Sequence, residues 1–175
     1  MVVRKLNSTF EQPIIALYQY GCNNSRLLAH GVKDGNVEMT DDAARKLAVM
    51  LKSGTALVPI PNSCGRAVTT LALCERMAQY NDLVVLDAIV GNKREKTLYQ
   101  MKAERKSLSG VDFGYAVKEG MVIPDNAVLV DNVYDTGTTY RAARKATGIT
   151  REVVIGATPH TEVRIMCKMS GKALV

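Results

Sequence analysis

Several short runs in this chain are apolar at nearly every position, not at every second one: "IIALYQY" from Ile14, "TALVPIP" from Thr55, "LVVLDAIV" from Leu83, "AVLVDNV" from Ala127 and "REVVIGATP" from Arg151. A strand with one face in water alternates, whereas a strand covered on both faces does not. Helical segments lie between the runs. "TDDAARKLAVMLKSG" offers Thr40 or Asp41 as N-cap, a stripe of Ala44, Leu47, Ala48 and Leu51, and Gly54 as C-cap. "NSCGRAVTTLALCERMAQY" reads as a turn feeding a helix that runs to about Tyr80, while "RLLAHGV" from Arg26 is open between a strand and a helix start. The alternation predicts an α/β fold, a mostly parallel twisted sheet flanked by helices. With 175 residues and no internal repeat, a single domain spanning 1–175 is expected. In such sheets ligands bind beyond the carboxyl ends of the strands.

Composition narrows the function classes. At 47% hydrophobic and 23% charged the chain is that of a globular protein. Cys22, Cys64, Cys74 and Cys167 form no CxxC pair, so spacing assembles neither a zinc ribbon nor a redox motif, and free thiols are expected. The first ten residues are polar and mixed, and no apolar run is long enough to cross a bilayer, which leads to the expectation of a cytoplasmic protein with no membrane contact. A formal charge of +6 leaves nucleic acid, phosphorylated metabolites and plain solubility open as reasons. The basic residues concentrate in 91–107 and in "YRAARKATGITR", without the interleaved aromatics of a base-stacking surface, so nucleic acid is the least favoured partner.

The segment "AVLVDNVYDTGTTYRAARKATG" carries the most chemistry. Its apolar run ends at Asp131, and "DTGTT" turns the chain into a helix with Ala142, Ala143 and Ala146 on its packing face. Amides of Asp135, Thr136, Gly137, Thr138 and Thr139 at a helix start would converge on an anion, with threonine hydroxyls beside them. Asp131 and Asn132 could accept hydrogen bonds from a sugar diol. The pattern is neither the Walker loop nor the dinucleotide fingerprint. A phosphorylated ribose fits both halves. A ligand-free reading, an Asp-rich turn before a capped helix, competes with it.

Residues 127–139 resemble the phosphoribosyl-pyrophosphate (PRPP) motif of the type I phosphoribosyltransferases: four apolar residues, two acidic, two apolar, then a T-G-x-T-like loop. Asn132 stands where the second acid is usual, and Tyr134 replaces an aliphatic residue. "LVPIPNSCGR" is similar to that family's first strand and pyrophosphate loop, which makes Asn62, Ser63, Cys64, Gly65 and Arg66 pyrophosphate candidates. "GNKREKTLYQMKAERKS" is similar to the loop that closes over pyrophosphate, and it carries Lys93, Arg94, Lys96, Lys102, Arg105 and Lys106. Within it Arg94, Thr97, Gln100, Glu104 and Arg105 follow a pattern that resembles the ComF-type branch, as does "YQYGCNNSRLLAHGVKDG"; that branch's N-terminal cysteine ribbon is missing.

The resemblance implies the type I fold with a small hood, PRPP and a nitrogenous base as substrates, Mg2+ as cofactor, and a homodimer. It implies catalytic roles for Asp131, Asn132, Asp135, Arg94 and Arg105, a 5′-phosphate site at 135–139, and Lys93 on the pyrophosphate. Asp131 would touch the magnesium indirectly or through the ribose. Asp135 is open between a general base and a helix cap. "REVVIGATPH" lacks the lysine-centred purine clamp of a hypoxanthine-guanine enzyme, so the base is unnamed. His160 is open between the acceptor pocket and a surface loop, and the tail "RIMCKMSGKALV" between packing on a neighbour, a cover for the site and ordinary core edge. Two other functions compete with transfer: a non-catalytic PRPP or nucleotide sensor, which Asn132 motivates, and a DNA-uptake accessory.

Overall fold

The computed structural model describes residues 13–21, 23–104, 107–108 and 111–167. Strand β1 (Ile14–Gln19) leads into helices α1 (Asn23–Lys33) and α2 (Val37–Ala48), then β2 (Ala56–Pro59), α3 (Val68–Tyr80) and the two-residue β3 (Val84–Val85). After β4 (Ile89–Val90), α4 (Leu98–Ala103) and β5 (Ala116–Val117) come β6 (Val128–Tyr134), α5 (Thr138–Thr147), β7 (Glu152–Ala157) and β8 (Val163–Cys167).

Six strands form one parallel sheet in the order β3-β2-β6-β7-β1-β8, and β4 pairs antiparallel with β5 in a separate ribbon. The α/β expectation holds, and the continuous apolar runs have the expected cause. In β1, Ile15 and Leu17 pack with α1, α2 and α3, while Ile14 and Ala16 pack on the other face with Tyr140 and Ala143 of α5. In β6, Val128 and Val130 face the first layer and Leu129 the second. Neither face of these strands meets water.

Two local expectations need correction, and the structure places two segments that were left open. The helix expected from Thr40 or Asp41 starts at Val37, because the Asn36 side chain accepts from the Met39 amide at 3.0 Å and caps it one turn earlier. It ends at Ala48, and Gly54 belongs to the next turn, where its amide donates to Asp82 O. "RLLAHGV" is helix. "LVVLDAIV" is not one buried strand: it divides at Leu86–Ala88 into β3 and β4 in different sheets, with Val84 and Val90 exposed. Part of the tail is β8, an edge strand on β1. Among the described residues no helix is long and apolar enough to cross a membrane.

Adjacent strands β2 and β6 send the chain in opposite directions, β2 toward β3 at one edge and β6 toward β7. Their carboxyl ends therefore splay at a topological switch point, where a cleft opens. Leu129, fully buried in central β6, is a test of this core. Leu129→Ala is expected to cost about 2–5 kcal/mol, read as a lower urea midpoint at unchanged slope.

Candidate functional site

A cavity of about 770 Å³ lies over the switch point. Its walls come from the loop after β2, the loop between β6 and α5, the segment around α4, and α1.

The β6–α5 corner is built around Gly137, which takes a left-handed conformation with φ 71° at the helix N-cap. A Cβ there would come within 2.5 Å of the Tyr134 hydroxyl and 2.8 Å of Arg141 Nη1, so the site needs glycine for both conformation and space. Tyr134 is buried beneath it, and its hydroxyl donates to Glu162 Oε2 at 3.1 Å. Burial, then that bond, pushes the phenol up to about 12. Arg141 Nη2 donates to Thr136 O at 2.8 Å and braces the turn. Among the described residues none supplies an acceptor to the amides of Thr136, Gly137, Thr138 and Thr139. Thr136 and Thr138 hydroxyls lie 2.8 Å apart at the same opening. The corner is a cradle of donors without acceptors, which is what an anion requires.

Asp131 and Asn132 line the same cavity one turn of chain earlier. The Asn132 amide donates to Asp131 Oδ1 at 2.7 Å and fixes that carboxyl group. Burial pushes Asp131 up to about 6, against the Asn132 hydrogen bond and the positive fields of Lys33 and Arg94. Asn132 is buried, and its Oδ1 has no partner. An unpartnered buried acceptor costs about 1–3 kcal/mol, so a ligand hydroxyl there recovers that cost.

Asp135 does not cap α5: no side chain caps that helix. It accepts instead from Lys102 Nζ, at the end of α4, and from Thr158 Oγ1 at 3.1 Å. Thr97 holds α4 in place through a reciprocal capping box with Gln100. The Lys102–Asp135 pair is half-exposed on both sides, and such pairs contribute about 0–1 kcal/mol. A ligand can displace it readily.

Arg94 was expected on the pyrophosphate, and it does reach the cavity. Its guanidinium lies 4.5 Å over the Phe113 ring, its amide donates to Ser63 O at 2.8 Å, and Nη1 is buried without a partner. Asn62 and Ser63 also line the cavity. Cys64, Gly65, Arg66 and Lys93 lie outside its lining; the amides of Cys64 and Gly65 both donate to Asn62, and the left-handed Gly65 packs on the Gly91 carbonyl. Cys64 and Cys74 are free thiols. Arg105 and Cys22 lie outside the described residues. His160 is exposed and outside the lining, 3.8 Å from Glu162.

Sequence reasoning missed Glu152, a buried carboxyl in the lining whose Oε2 has no partner. Burial, then the nearby Asp131 charge, pushes it well above the usual range. An acid opening the apolar run "EVVIGA" is the one signal the sequence held for it. Sequence reasoning also missed Arg26, His30 and Lys33 of α1 as wall residues.

No protein-family model matches this chain, and neither does any curated protein. A search of solved structures returns a hypoxanthine phosphoribosyltransferase from Staphylococcus aureus, 12% identical, covering 82% of this chain and 71% of that one with a TM-score of 0.35. A superposition that loose carries no weight beside the strand order and site geometry above.

Two outcomes test the corner. Gly137→Ala is expected to cost about 1–3 kcal/mol in a denaturant melt and to abolish anion binding there. Because Asp131 is raised in the folded chain, from 3.8 to about 6, the folded state holds the extra proton between those values. Its contribution to stability therefore falls as pH rises through that window. Asp131→Asn should gain on the wild type from about pH 4 to pH 6 and hold a constant advantage above it, read from urea midpoints across pH.

Proposed function

We infer that the protein transfers phosphoribose from PRPP to a nitrogenous base with release of pyrophosphate. The observation that carries this reading is the convergence of three unmet hydrogen-bonding sets in one cavity. These are the free amides of 136–139, the orphan Asn132 Oδ1 beside Asp131, and the orphan Arg94 Nη1. They match, in order, a 5′-phosphate, a ribose diol and a diphosphate. The resemblance of residues 127–139 to the PRPP motif supports the same assignment.

In this reading Asp131 and Asn132 hold the ribose hydroxyls while the cradle holds the 5′-phosphate. Arg94, with Asn62 and Ser63, meets the diphosphate. The bond from C1 to the pyrophosphate oxygen breaks and the bond from C1 to the acceptor nitrogen forms, through an oxocarbenium-like sugar. Asp135, once Lys102 has left it, takes the proton that the nitrogen releases. Lys102 then stands free beside the departing anion, and closure of its segment excludes water.

Among the described residues no three His, Cys, Asp or Glu side chains converge on a metal position. The donor set suits a hard cation that arrives on the phosphates, with Asp131 reaching it through water or the ribose. Magnesium bound in this way neutralises leaving-group charge.

Asn132 favours a second reading, a sensor that binds PRPP without turnover, because it cannot supply the negative charge of an acidic pair. Pyrophosphate release from PRPP and magnesium across a panel of bases separates the two. In the enzyme, Asp135→Asn should lower kcat by about 10²–10⁴-fold with PRPP affinity little changed. Equal losses in both would count against the base role. Asn132→Asp should raise kcat if the asparagine limits catalysis, and binding with no release in any variant would establish the sensor.

A further inference from the structure

Three walls of the cavity are used by PRPP in the reading above, and α1 is the fourth. Arg26, His30 and Lys33 follow at intervals of four and three, which puts them on one face of that helix, and all three line the cavity. None of the three side chains has a hydrogen-bond or ion-pair partner among the described residues. A basic stripe on a surface helix is ordinarily laced with acids at helical spacing, and α1 has no acid in its first turn. The acids that do line the cavity leave the stripe unneutralised. Asp135 is taken by Lys102, burial disfavours the charged form of Glu152, and Asp131 lies at the ribose position.

Lys33 and Asp131 line the same cavity, and the positive field of Lys33 opposes the rise in the Asp131 pKa, which sets this end of the stripe toward the sugar. At the entrance to α1 stands Tyr20, whose ring packs on Gly156 of β7 and lines the cavity. A half-buried aromatic face next to unpaired cations suits a flat ring that carries an acidic substituent.

We propose that the α1 wall, Arg26, His30 and Lys33 with Tyr20 beside them, is the acceptor subsite, and that the acceptor is an anionic planar nitrogen heterocycle bearing a carboxylate or similar group. This rests on the phosphoribosyl reading of the same cavity. It adds that a neutral base is the wrong substrate: without its own negative charge a base leaves the cations of α1 uncompensated and gains nothing from them.

Matched acceptors that differ in one acidic group make the test: nicotinate against nicotinamide, and orotate against uracil. Turnover is read as pyrophosphate release with PRPP and magnesium. Binding of each acceptor is read by saturation-transfer NMR, so a slow enzyme still reports a preference. PRPP binding without acceptor is measured separately by calorimetry. The carboxylated member should be favoured about tenfold or more in at least one readout. Arg26→Gln, at an exposed position, should cut that preference at least threefold while PRPP affinity changes by less than about threefold. Equal use of both members, preference for the neutral one, no acceptor signal in either readout, or a preference that Arg26→Gln leaves unchanged overturns the anionic acceptor and leaves the PRPP reading standing. Failure of the wild-type protein to bind PRPP overturns that reading, and this proposal with it.

Discussion

Strand β6 is hydrogen-bonded to β2 on one side and β7 on the other, and apolar layers cover both of its faces through Val130. Beyond that point β2 ends while β7 stays paired as far as Ala157, and the strand enters the cleft still carrying polar side chains. Everything at the site follows from this passage from a fully satisfied to an unsatisfied environment. Asp131 becomes hard to ionise because the dry sheet still surrounds it, and Asn132 keeps a buried acceptor with nothing to bond. A left-handed glycine then reverses the chain into α5 and leaves the helix-start amides open. Polar groups held in this way, rigid and unmet, are preorganised for a ligand that brings the complementary set.

Tyr134 joins this corner to the core. In the PRPP-like pattern it stands where an aliphatic residue is usual, and the structure gives a reason for an aromatic. The ring fills the layer under α5, in edge contact with Tyr140 at 6.1 Å, and the hydroxyl reaches Glu162 beyond β7. Its oxygen also occupies the space directly under Gly137, so core packing and the shape of the donor cluster are set by the same side chain. Lys102 makes a second link, from the segment around α4 to the mouth of the cradle. The exposed pair is weak, and opening it would free both a cation and a carboxylate at that mouth.

Much of this was legible in the chain. Runs apolar on both faces announced a parallel sheet, and the order of acid, turn, glycine and hydroxyls placed a donor cluster after β6. The errors were local and physical. Asn36 outcompeted Thr40 and Asp41 as the cap of α2, since a capping side chain acts wherever the backbone first permits it. "LVVLDAIV" looked like one strand because apolar character alone does not record that the chain turns at Leu86–Ala88 and exposes Val84 and Val90. Asp135 was open between a base and a helix cap, and the structure removes the cap: Gly137 occupies the capping position and Asp135 faces across the cleft to Lys102.

By itself, then, the sequence determined the class of fold and the chemistry of the β6–α5 corner, because both depend on neighbours close along the chain: period, glycine placement, and side chains next to the amides they serve. Only the tertiary structure decided what faces that corner. Glu152 at the start of β7, Arg94 stacked on Phe113, Lys102 on Asp135 and the basic stripe of α1 come from segments far apart in the chain. Whether a side chain from such a segment points into a cavity or into water is set by strand order and helix rotation, which no local pattern encodes.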